Sequence, residues 1–164
     1  MPPSVRFVDA LEVLGRHRVR FIVVGGVAAV LGGAPVSTFD LDIVHDRAAD
    51  NVDALVAALT ELDARYRDPT GRVLRPDPRG LLGPGHHLLL TAAGPLDVLG
   101  AIVGDETYAS LAPKAETIEL AGVAVQILGL AALIESKARL ARDKDRATLA
   151  ILRRTLAERD RGGT

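Results

Sequence analysis

Three aspartates occupy positions where a buried strand has no structural use for them. Asp40 and Asp42 bracket Leu41 in "FDLDIVHD", and Asp97 interrupts the apolar run "GPLDVLG". Side chains alternate along a strand, so Asp40 and Asp42 share one face while Leu41 and Ile43 pack on the other. Two carboxylates roughly 7 Å apart on one face repel each other. A hard divalent cation relieves that repulsion, and Mg²⁺ is commonly held by one or two carboxylates together with substrate phosphates. Asp97 adds a lone charge to a strand, and burying it without a partner would cost several kcal/mol or more. A metal shared with Asp40 and Asp42 would supply the partner, as in two-metal phosphoryl-transfer sites. Solvated aspartates on an open sheet face or a sheet edge are the plainer alternative.

Gly25 and Gly26 end the apolar run "FIVVGG". Glycines at a strand-to-helix junction let backbone approach a ligand, and the N–H groups of the new helix favour an anion. The plainer reading is a tight turn. Further along, Lys137 falls inside the stripe of Leu130, Leu133, Ile134, Ala138 and Ala141, so its ammonium is aimed at the body of the protein unless the stem snorkels. Asp145 heads the stripe Leu149, Leu152 and Leu156. It serves a ligand, caps a helix, or pairs with Arg142 or Lys137. Arg139, Arg142, Lys144, Arg146, Arg153 and Arg154 form the local basic concentration. His86 and His87 are neighbours on a strand, so they point to opposite faces and cannot chelate one ion together.

Elements that must position these groups follow from periodicity and breakers. A helix capped by Ser4 runs to about Arg16. "RFIVVGG" is a buried strand, "VAAVLGG" a short helix, "DLDIVHD" a second strand and "ADNVDALVAALTELDARY" a helix. Residues 67–85, rich in Pro and Gly, read as an irregular or mobile loop that could gate the site. "HHLLLT" and "LDVLGAI" form a hairpin, and "TIELAGVAVQIL" makes two short strands turning at Ala121 and Gly122. Helices follow from Gly129. The order predicts an α+β fold with a mixed sheet flanked by helices: residues 1–128 form the α/β core, and 129–164 a helical segment completing the same domain.

The 164 residues suffice for one domain, and a 48% hydrophobic composition can build its core. Twenty Lys and Arg against 21 Asp and Glu leave no global basic field for nucleic acid or an anionic membrane. The absence of cysteine excludes disulfides and thiolate metal sites and fits a reducing compartment. With neither a signal-peptide pattern nor a membrane span in view, the sequence reads as cytoplasmic. Aromatic residues make up 3%, too few for a single-strand stacking platform.

Taken together, Gly25-Gly26, "TFDLD" with Thr38, Asp40 and Asp42, and the later strand Asp97 resemble the polymerase-β-like nucleotidyltransferases. The block from Lys137 to Asp145 is similar to that of small bacterial nucleotidyltransferases of the AbiEii and MenT toxin-like group. The resemblance runs from about Val5 to Glu158. It implies transfer of a nucleoside monophosphate from an NTP to a hydroxyl acceptor, with pyrophosphate leaving. It further implies that Asp40 and Asp42 hold Mg²⁺ or Mn²⁺ and that Asp97 completes the metal site and helps to activate the acceptor. Gly25, Gly26 and Thr38 would hold the nucleotide, Lys137 would neutralise phosphate charge, and Arg142, Lys144 and Asp145 would support it. RNA, such as the end of a tRNA, is the implied acceptor, and a cognate antitoxin the implied partner protein.

This chain departs from that pattern at three places. Val36 stands where many relatives carry arginine, Thr148 where they carry a further aspartate, and Gly26 where serine is common. Two other readings therefore stay open: a catalytically silent module that binds nucleotide or a partner protein, and an enzyme of the same chemistry acting on a small-molecule hydroxyl such as that of an antibiotic.

Overall fold

The computed structural model describes residues 6–38, 40–140 and 143–162. Ser4, Ala141 and Arg142 lie outside the described residues, as does the side chain of Lys144. Among the described residues seven strands form one mixed sheet. They are β1 (Phe21–Val24), β2 (Leu41–His45), β3 (Arg65–Tyr66), β4 (His86–Thr91), β5 (Gly94–Leu99), β6 (Ala115–Leu120) and β7 (Val123–Leu128), in the spatial order β3-β4-β5-β2-β1-β7-β6. β2 runs parallel to β5 and β1 parallel to β7, whereas β1–β2, β3–β4, β4–β5 and β6–β7 are antiparallel. This is the expected α+β fold, and both expected hairpins are present.

The helices are α1 (Phe7–Arg16), α2 (Gly25–Leu31), α3 (Ala49–Glu61), α4 (Pro78–Leu81), α5 (Tyr108–Leu111), α6 (Leu130–Leu140) and α7 (Asp143–Gly162). β1 is buried on both faces, which is why it reads as a continuous run without alternation. The α1 and α3 stripes bury Leu11, Leu14, Val52, Leu55 and Leu59 in the same core as Leu41, Ile43, Leu96 and Val98. Along α6 the buried stripe is shorter than its periodicity suggests: Leu130 and Leu133 are buried, but Ala138 is exposed. No helix among the described residues is long and apolar enough to cross a membrane.

The stretch from 67 to 85 is irregular, as expected, but it is tethered at several points. Asp77 caps α4 by accepting from the Gly80 N–H, the Tyr66 N–H donates to the Leu74 carbonyl, and the Gly100 N–H donates to the Gly85 carbonyl. Two inward histidines lie along the same segment. His45 Nε2 is 2.7 Å from the Leu81 carbonyl, and His87 Nδ1 is 2.6 Å from the Tyr66 hydroxyl. His87 is buried and His86 exposed, as the alternation requires.

Burial pushes the pKa of both His45 and His87 below the usual histidine value. A depressed folded pKa means that the stabilisation is present above pH 6.5, the unfolded value, and is lost as pH falls below it. Thermal melts at descending pH are expected to show the melting temperature of wild type falling below pH 6.5, and that of His45→Gln falling less steeply. Parallel slopes would show that protonation of His45 is not coupled to unfolding.

Candidate active site

One row of residues running across the sheet brings two of the three predicted carboxylates together. Val24, the last residue of β1, pairs with Asp42 on β2, Asp42 pairs with Asp97 on β5, and Asp97 pairs with Leu88 on β4. Directly opposed residues on neighbouring strands share a face, so Asp42 and Asp97 meet side by side. Leu41 and Ile43, their sequence neighbours, are fully buried on the other face. The spacing thus positions the carboxylates as the alternation predicts.

The carboxylates differ in environment. Asp97 is 16% exposed and Asp40 45% exposed in their side chains. Asp42 is largely buried, and its Oδ1 has no hydrogen-bond partner. Its pKa is pushed up to about 7, first by burial, then by the charge of Asp97 and a hydrogen bond with it, and by the charge of Asp40. A buried carboxylate oxygen without a donor, facing a second carboxylate, has the chemistry of a cation ligand. Among the described residues no three carboxylates or histidines have converged into a finished metal centre. Asp42 and Asp97 meet, and Asp40 stands at the mouth.

Gly25 and Gly26 follow Val24 and open α2. Gly25 has φ +66°, and a Cβ there would collide with the Asp42 carboxylate. Gly26 lies against Thr38, whose Oγ1 would be 2.6 Å from an added Cβ. Thr38 fills the space that a side chain at 26 would need, so the glycine at this position and Thr38 fit each other. The Thr38 hydroxyl donates to the Asp40 carbonyl at 3.3 Å, which ties the glycine turn to the start of the aspartate pair.

On the helical side, Lys137 Nζ lies 3.7 Å from Asp145 Oδ1. Asp145 is 3% exposed, which makes it the buried anchor that the helical stripe predicts. Lys137 keeps a quarter of its side chain exposed. Thr148 is half-buried on the same helix, and Val36 packs against the core.

Sequence reasoning missed Arg67, except as the first residue of the irregular loop. Its N–H donates to the Leu88 carbonyl and so extends the β3–β4 ladder by one residue. Arg67 therefore stands on the far side of Leu88 from Asp97. One guanidinium nitrogen is 2.7 Å from Asp97 Oδ1, and the other is 4.0 Å from Asp40 Oδ2. The signal lay in strand register, which a single sequence does not reveal for a two-residue strand.

No protein-family model matches the sequence, and no curated protein matches it. Solved structures do. A crystal structure of a candidate nucleotidyltransferase from Thermotoga maritima superposes with a TM-score of 0.57 at 19% identity, covering 93% of this chain and 91% of that one. The solution structure of the antibiotic-resistance factor ANT(2'')-Ia gives 0.58 at 16% identity, over 93% of this chain and 84% of that one. The crystal structure of ANT(2'')-Ia in complex with adenylyl-2''-tobramycin gives 0.54 at 17% identity, over 91% and 86%. The chain has the nucleotidyltransferase fold. A groove of about 820 Å³ between β6 and the helices α6 and α7 is lined by Lys114, Glu116, Leu156 and Arg159 among others, and by none of the three carboxylates.

Two outcomes follow for the metal-free protein. The raised pKa of Asp42 means that the fold favours its protonated form, so stability is fully present below pH 3.8 and is lost as pH rises through about 7. Asp42→Asn is expected to be more stable than wild type by up to about 4 kcal/mol above pH 7. The difference should shrink to nothing towards pH 4, as read from melts in chelator. A constant difference across that range would remove the charge explanation. Gly25→Ala should destabilise by about 1–3 kcal/mol through its positive φ and the clash with Asp42; an unchanged melting temperature would contradict that geometry.

Proposed function

We propose that the protein transfers a nucleoside monophosphate from an NTP to a hydroxyl acceptor, with Mg²⁺ or Mn²⁺ held by Asp42 and Asp97 and completed by Asp40. The observation that carries this reading is the pairing of Asp42 with Asp97 on adjacent strands, with a partnerless buried oxygen on Asp42, beside the glycine turn. The nucleotidyltransferase fold of the solved neighbours supports it.

The chain's own residues divide the work. Gly25 and Gly26 offer backbone N–H groups to the triphosphate, at a turn without side chains to block its approach. Thr38 holds that turn against the aspartate pair. Lys137, anchored by the buried Asp145, balances phosphate charge as pyrophosphate departs. Asp97 accepts the proton of the acceptor hydroxyl, whose oxygen forms the new bond to the α-phosphorus as the bond to the β-phosphate oxygen breaks. The cation, when bound, neutralises charge on the reacting phosphate and lowers the barrier electrostatically. Arg142 and Lys144 are assigned supporting roles from the motif resemblance alone.

The resemblance to the toxin-like group favours RNA such as tRNA as the acceptor and an antitoxin as protein partner. The exposed Arg153 and Arg154 on α7 are available to a polyanion. A second acceptor class is favoured by one specific finding: a neighbour in fold was solved with adenylyl-2''-tobramycin, a modified small molecule.

Calorimetry with each of the four NTPs and Mg²⁺ tests the reading. Wild type is expected to bind at least one NTP only when Mg²⁺ is present, and an Asp40→Asn, Asp42→Asn variant is expected to lose that binding. Labelled NTP offered with total tRNA, and separately with an aminoglycoside, then distinguishes the acceptors. Failure of any NTP to bind wild type would leave the silent module as the better account.

A further inference from the structure

Among the described residues Arg67 is the positive charge that meets the carboxylate row, and it comes from the end of the β3–β4 ladder rather than from the glycine turn or the C-terminal helices. Backbone pairing fixes its position: its N–H is bonded to Leu88, and Leu88 is the register partner of Asp97. The guanidinium then spans two carboxylates, 2.7 Å from Asp97 and 4.0 Å from Asp40. It is about two-thirds buried, so water screens the pair only in part. A charge-assisted bond of this kind is stronger than a neutral one, and it engages the oxygens that a divalent cation would need.

We propose that Arg67 is a built-in competitor of the divalent cation, holding Asp97 and Asp40 in the resting protein and yielding Asp97 when metal and nucleotide arrive together. This inference rests on the metal site proposed above. Arg67 explains why Asp40 and Asp97 are drawn to a guanidinium instead of closing with Asp42 around one point. It also gives the displaced side chain somewhere to go. A triphosphate presents anionic oxygens that a planar guanidinium binds well. Nucleotide therefore releases the carboxylates by recruiting Arg67, and metal releases Arg67 for the nucleotide. Each ligand then raises the affinity of the other by the same factor, as linkage requires. Metal alone is held weakly, which keeps the site from loading an ion without substrate.

The decisive measurement is Mn²⁺ binding without nucleotide, read by electron paramagnetic resonance and calorimetry on the full chain. Four proteins are compared: wild type, Arg67→Gln, Arg67→Lys and Arg65→Gln. Arg65 is exposed on the same face two residues earlier, so its loss changes the net charge equally without freeing the carboxylates. Arg67→Gln is expected to bind Mn²⁺ about tenfold more tightly than wild type, and Arg65→Gln nearly as wild type does. Arg67→Lys keeps the charge but loses the two-pronged reach, and should fall between them. It carries the test if the neutral variant does not fold. In the Arg67→Gln protein, ATP should strengthen Mn²⁺ binding less than it does in wild type.

Equal or weaker Mn²⁺ binding by the folded Arg67 variants overturns the competitor role while leaving the metal site intact. Adding Asp42→Asn to Arg67→Gln separates the two ideas. Loss of Mn²⁺ binding there places the ion at the carboxylate row. Unchanged binding shows that the ion sits elsewhere, and overturns both this inference and the functional reading beneath it.

Discussion

The parallel pairing of β2 with β5 sets two carboxylates against each other in a row that the rest of the sheet half-buries. Register leaves no freedom here: shifting either strand by one residue would turn Asp42 or Asp97 into the core and expose Ile43 or Val98. The hydrophobic face therefore holds the repulsive pair in place. Burial first, and then the repulsion from Asp97 and Asp40, lift the Asp42 pKa to about 7, so the site favours a neutralising charge.

The surrounding elements follow from supplying and managing that charge. The glycine turn after β1 brings backbone N–H groups alongside Asp42 because no side chain could fit there. Thr38 closes the turn from the loop before β2, and on the helical side Lys137 pairs with the buried Asp145. The segment after β3 contributes Arg67. That segment is irregular yet fixed, since inward His45 and the capped α4 hold its distal part while the ladder extension at Leu88 holds its start. Neutral buried histidines serve as anchors here because a packed imidazole accepts or donates one strong bond without bringing a charge into the core.

Much of this was legible in the chain. Alternation put Asp40 and Asp42 on one face, the apolar flanks marked Asp97 as a strand residue in need of a partner, and the glycines marked the turn. Helical periodicity turned Lys137 and Asp145 towards the body of the protein and left their pairing as one option among several, and it overextended the α6 stripe to Ala138, which packing leaves exposed. What periodicity cannot supply is lateral order. Nothing in "LDVLG" says that its aspartate pairs with Asp42 rather than with another residue of β2, and a two-residue strand such as β3 carries no pattern at all. Arg67 was hidden for that reason: its role depends on a ladder bond to Leu88 that only the assembled sheet reveals.

The departures from the pattern that the sequence resembles look different once that arginine is placed. Val36 stands where that pattern often has arginine, and it packs against the core instead. The row nonetheless has its guanidinium, delivered from the opposite side of the sheet through β3 and β4. A carboxylate site needs positive charge within reach of its oxygens, and the backbone origin of that charge is free to vary so long as register aims it at the same face. An arginine that grips the proposed metal ligands directly would be a different device from one that waits near the mouth, because it would link occupancy of the site by an ion to the arrival of an anionic substrate. On that argument the missing arginine at 36 does not by itself indicate a silent fold; it shifts the question to whether Asp97 is released when a triphosphate offers Arg67 a better partner.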